Sequence, residues 1–105
     1  MPDRVITEER NFQWVGYETK TISSTAITLT TGITRDADFA LVSIESNPIN
    51  YTLDGSTVPT STVGHNISAG TVFRLENRFE ILNFSAIRSG GADATAKISY
   101  GKWAD

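Results

Sequence analysis

Three residue types of a hydrolytic triad lie close together in "YTLDGSTVPTSTVGHNISAG", residues 51–70. They are Asp54, Ser56 and His65, the last being the only histidine in the chain. A nucleophilic serine needs a base within hydrogen-bond reach and a third group that orients that base. Ser56 follows Asp54-Gly55 and lacks the Gly-x-Ser-x-Gly elbow that strains and exposes such a nucleophile. Asp54-Gly55-Ser56 reads instead as a turn, because aspartate bonds nearby backbone and glycine supplies positive φ. Pro59-Thr60 through Gly64-His65 then reads as a rigid loop, with the imidazole bonding loop backbone rather than moving a proton. No catalytic residue is assigned.

Metal and cofactor chemistry find little to build on. One histidine and no cysteine exclude ordinary zinc spacing. Asp36 and Asp38 in "TRDADF" offer carboxylate oxygens, but no twelve-residue calcium loop surrounds them, so they read as solvated loop acids. No metal and no cofactor is expected. The aromatic set is more informative. Trp14, Tyr17, Tyr51, Tyr100 and Trp103 offer platforms for stacking on sugars, and they are equally the side chains that fill β cores and oligomer interfaces. Phe12, Trp14, Tyr17 and Trp103 are the interface candidates. In "NFQWVGYETKTI", Phe12 and Trp14 alternate with Val15 and Tyr17, which puts large apolar groups on both faces of a strand and asks for a neighbour over the second. Asn50, Asn66 and Asn83 begin Asn-x-Ser/Thr sequons, which carry no weight without a secretory signal.

The elements that must position these residues are strands. The 105 residues fit one domain, which buries roughly two-thirds of the surface of its unfolded chain. Residues 1–11 read as a charged terminal arm and residues 12–105 as the folded domain. "TAITLTT", "FALVSIES", "INYTLDGS", "GTVFRLE", a stretch from Phe84 to Arg88 and "ATAKISYGKW" alternate with period two. The alternations on either side of Asn47-Pro48 read as a β-hairpin. "NRFEIL" is the one possible helical turn. Seven to eight short strands with a turn signal about every ten residues predict an all-β fold. The expected form is a single antiparallel β-sandwich, jelly-roll or immunoglobulin-like. The net charge of −3 and the scattered Lys and Arg argue against a nucleic-acid partner. No apolar run approaches the roughly 20 residues needed to cross a bilayer, and "MPDRVITEERNFQWVG" lacks the apolar core of a signal peptide.

Residues 40–100 also carry a recurring layout. It runs "ALVSIES-P" at Ala40–Pro48, "Y-x-x-DG…PT-x-x-x-GH" at Tyr51–His65, "SAG-x-x-x-x-LE" at Ser68–Glu76, and "I-x-x-F-x-AIRSGG-x-DA…Y" at Ile81–Tyr100. This resembles a family of small all-β proteins encoded among the head and tail structural genes of tailed bacteriophages. The family's loop reads DG-x-x-PT, whereas Val58 adds a residue here. The "YTLDGS…PT" piece is also similar to a hairpin of immunoglobulin-like domains attached to carbohydrate-active enzymes. What the phage resemblance implies is a non-enzymatic capsid decoration or cement protein in the virion, assembled in the bacterial host cytoplasm. It implies docking on the major capsid protein or another virion protein, and self-association into a homo-oligomer, a trimer first. A neck or tail structural protein, or a carbohydrate-binding module, is the alternative.

Overall fold

The computed structural model describes residues 11–34 and 36–104, and these form two four-stranded antiparallel sheets. In chain order the elements are β1 (Phe12–Ile22), β2 (Ile27–Thr28), α1 (Thr31–Thr34), β3 (Phe39–Glu45), β4 (Ile49–Thr52), β5 (His65–Ile67), β6 (Val72–Leu75), α2 (Arg78–Asn83), β7 (Ser85–Arg88) and β8 (Ala94–Trp103). The first sheet has the order β1-β8-β3-β6 and the second the order β2-β7-β4-β5. The pairings are nested: β1 meets β8, β2 meets β7, β3 meets β6 and β4 meets β5. The chain thus runs as a ribbon doubled back on itself, with the loop after β4 as its fold point.

Alternation decides which side chains face inward. Ala40, Val42 and Ile44 of β3 lie beside Ala96, Ile98 and Tyr100 of β8, all essentially without solvent contact. Ile49 and Ala86 answer them from the second sheet, in one continuous core. Each fully buried large aliphatic or aromatic residue stabilises the fold by about 1.5–3 kcal/mol relative to leaving it exposed. The short α2 closes one end. Asn77 caps it by accepting the Glu80 backbone N–H at 2.9 Å, the Glu80 carboxylate returns to the Glu76 N–H, and Ile81 is driven into the core. This reciprocal cap is why a six-residue helix holds.

Several expectations need correction. β3 and β4 do not form a hairpin around Asn47-Pro48, because they belong to different sheets. The chain turns sharply there, with Ser46 at φ 77° and the Asn47 N–H bonded back to Glu45, and crosses from one sheet to the other. A second short helix, α1, stands beside the one helical turn expected at "NRFEIL", and β5 begins at His65, the last residue of the stretch read as a rigid loop. β1 is not an evenly alternating strand covered on both faces. Its register against β8 slips at Val15, between Trp14 and Gly16. The arm expected over residues 1–11 falls, apart from Asn11, outside the described residues.

A candidate interaction face on the first sheet

The bulge at Val15 builds the most distinctive surface of the molecule. Trp14 pairs with Gly101 and Tyr17 pairs with Ser99, two positions on the same outward side of β8. One extra residue in β1 therefore turns Tyr17 to the face that already carries Phe12 and Trp14. Opposite Gly101 on its other flank is Phe39, the first residue of β3. Phe39 shares the outward side of β3 with Leu41, yet it is only 2 % exposed. Its ring lies across the backbone of Gly101, where a Cβ would come within 2.2 Å of the ring edge. Glycine is needed there for close approach rather than for backbone conformation.

Other aromatic rings cover Phe39. Phe12 lies 5.3 Å from its ring centroid, Trp14 5.7 Å and Trp103 4.8 Å, while Phe12 and Trp14 meet edge to face at 5.1 Å. The Arg74 guanidinium of β6 sits 4.7 Å over the Phe39 ring from the other side. Such edge-on pairs add about 0.5–1.5 kcal/mol each beyond area burial. The base of the cluster is pinned by Asp38, whose carboxylate accepts the Trp103 backbone N–H at 2.8 Å, and by the Ala104 N–H donating to the Asn11 carbonyl. The top remains open: Phe12, Trp14 and Tyr17 are each about half exposed. Of the four interface candidates, Phe12, Trp14 and Trp103 come together and Tyr17 stands farther along the same face, its hydroxyl 3.2 Å from the Thr19 hydroxyl. Phe39 and Arg74 are the members of this face that sequence reasoning missed. The usable signal was parity: Phe39 is in phase with Leu41 and out of phase with Ala40, Val42 and Ile44.

The face is electropositive on an acidic protein. Its outward charged residues are Arg74, Lys97 and Glu45, and Glu45 is paired with Lys97 at 3.3 Å. Arg74 has no bonded carboxylate among the described residues. The inward side of β1 is different. Glu18 accepts the Tyr100 hydroxyl, the Thr30 hydroxyl and the Thr30 backbone N–H. Burial pushes the Glu18 carboxyl up, but these hydrogen bonds outweigh it and leave its pKa below the ordinary value. Burial, reinforced by the Glu18 carboxylate, raises the Tyr100 hydroxyl well above the usual phenol range. Tyr100 is wholly enclosed and is no sugar platform. Tyr51 is half-buried between Phe73 and Phe84.

The stretch with triad residue types serves as loop scaffolding. Asp54 accepts the Ser56 and Thr57 N–H groups and the Thr57 hydroxyl at 2.6 Å. The Thr57 bonds come first among the causes that hold its pKa at about 2. Gly55 has φ 77°, as the turn reading requires. The loop backbone is held by Asn50, which donates to the Thr60 carbonyl at 2.8 Å, and by Thr52, which donates to the Thr57 carbonyl at 2.7 Å. That is the work expected of His65. The imidazole instead lies exposed, 5.5 Å from the Tyr51 ring. Among the described residues no hydrogen bond joins Asp54, Ser56 and His65. Asp54 and His65 line a shallow open depression with Phe79 of α2, and Ser56 is not part of its wall. Asp36 is exposed and Asp38 is spent on Trp103, so the two do not converge.

Compared with protein-family models, curated proteins and solved structures, the chain matches none.

Proposed function

We propose that this protein is a non-enzymatic structural component of a phage virion, a capsid decoration or cement protein, which docks with its neighbours in that assembly through the outer face of its first sheet. The observation that carries the reading is the open aromatic cluster on that face. The largest apolar patch on a monomer, typically about 300–600 Å², is often a functional one. Aromatic residues accompanied by an arginine are the composition of an interface. The nested strand pairing favours the jelly roll over the immunoglobulin-like alternative, because 1-8-3-6 and 2-7-4-5 are the orders a doubled ribbon takes when wrapped into two sheets. Jelly rolls serve as shell-building and lectin domains. The resemblance of residues 40–100 to phage head and tail proteins is what supports the virion among these uses.

The test is co-sedimentation of purified protein with capsids or virions lacking it, for wild type and Trp14→Asp. Binding by wild type and its loss in the variant is the expected result. A wild type that stays in the supernatant refutes the reading. Labelling the bound protein separates a head position from a neck or tail one. Sugar binding would draw first on Trp14 and Tyr17, the most exposed of the platform residues, since Tyr100 is enclosed and Tyr51 and Trp103 are partly buried. A glycan array with binders that depend on both rings is the outcome that supports it.

A further inference from the structure

We infer that the partner on the aromatic face is a second copy of this chain, which presents its α2 patch in a head-to-tail contact. The inference rests on the docking role proposed above and names the occupant. A second apolar patch lies around α2, where Phe79 is 64 % exposed and Leu82 52 %, beside Val63 of the neighbouring loop. The same end of the molecule holds both patches. Leu75 of β6 pairs with Ala40 next to Phe39, and α2 follows β6 directly.

Charge separates the two patches and complements them. Among the described residues the aromatic face carries Arg74 over Phe39 and no carboxylate outside the Glu45–Lys97 pair and the Asp38–Trp103 bond. The α2 patch carries Glu76 and Glu80 on either side of Phe79 in sequence, with Asp54 across the depression. Asp54 is ionised down to about pH 2. Among the described residues Arg78 is the cation there, and it donates to the Ala37 carbonyl at 3.1 Å. An aromatic face pressed on its own image would bring two Arg74 groups together with nothing to neutralise them. Pressed on α2 of the next copy, Arg74 meets carboxylates and the exposed rings meet Phe79 and Leu82. Phe12, Trp14 and Tyr17 leave roughly 300 Å² of ring surface open. A stable interface needs about 800 Å² per partner, so they form its centre and the charged residues its rim. Each copy has one patch of each kind, so the contact repeats and closes into a ring when the rotation allows.

The experiment uses sedimentation velocity on the full chain. Tyr17→Asp spoils the face and Phe79→Asp spoils the α2 patch; both side chains are more than half exposed, and circular dichroism checks that both variants fold. Trp14→Asp serves as a second face variant. Wild type is expected to sediment as a closed assembly of a few copies and each variant as a monomer. An equimolar mixture of a face variant and Phe79→Asp is expected to give a one-to-one dimer that grows no further, because only one good interface remains. Arg74→Glu is expected to weaken assembly at least tenfold, and to regain it when mixed with Glu76→Lys. A monomeric wild type, a variant that assembles like wild type, or a mixture that stays monomeric each overturns the inference. Monomers that still bind capsids leave the proposed function standing and remove this inference. Rings that bind no capsid support this inference and remove that function.

Discussion

Gly101→Ala probes directly how the aromatic face is built. The added methyl carbon would stand 2.2, 2.5 and 2.7 Å from three atoms of the Phe39 ring. Non-bonded carbons rest at about 3.5–4.0 Å, so the ring must retreat by roughly 1.5 Å. It has little room to do so, with Phe12, Trp14 and Trp103 around it and Arg74 over it. Overpacking of this kind costs about 1–3 kcal/mol. In a domain of this size each kcal/mol lowers Tm by about 4–8 °C. The two tryptophans of the chain, Trp14 and Trp103, both touch Phe39, so intrinsic fluorescence reports on this cluster alone. Gly101→Ala is expected to lower Tm and shift the emission. In a double-mutant cycle the alanine should add almost nothing once Phe39→Ala has vacated the space. An unchanged Tm and emission in Gly101→Ala, or a cost that persists in the Phe39→Ala background, refutes the reasoning.

Gly55→Ala should cost about 1–2 kcal/mol for the left-handed backbone alone. It should cost more because its Cβ would collide with the Asn83 side-chain oxygen at the end of α2, and Asn83→Ala should remove only that second part, as read by urea unfolding. Asp54 has a depressed pKa, so its contribution to stability is complete above its ordinary value of 3.8 and fades as pH falls to about 2. Wild type should lose more stability through that window than Asp54→Asn does, and carboxyl-carbon NMR should place the Asp54 titration near 2. Tyr100→Phe removes a hydrogen bond to a charged acceptor and should cost about 1.5–3 kcal/mol. It should also raise the Glu18 pKa towards the ordinary carboxylate value, measured by the same NMR titration.

Alternation in the sequence reveals faces, not partners. Ala40, Val42 and Ile44, and likewise Ala96, Ile98 and Tyr100, were legible as single faces of their strands, because side chains alternate with period two, and those faces are buried. Asn47-Pro48 looked like a hairpin because two alternating runs flank a turn. Whether such runs pair or cross between sheets depends on β8 and β6, which flank β3 from much later in the chain. The slip at Val15 was hidden for the same reason, since a bulge exists only relative to the partner strand. Asp54-Gly55 was legible because its bonds are local. Phe12, Trp14 and Trp103, whose rings the structure brings together, were legible as interface candidates by type. Phe39 was not, because its burial rests on the missing side chain of Gly101, 62 residues away in sequence.

The position of β8 sets the order of events during synthesis. It is the inner strand between β1 and β3, and it is made after both. The 71 residues between the end of β1 and the start of β8 take roughly 4–14 s to translate at about 5–20 residues per second. For that interval β1, with its aromatic residues, has no partner in its sheet, and such an edge invites pairing with other chains. On a polysome translating many copies, the sequence most prone to join neighbouring chains is exposed first and sheltered last.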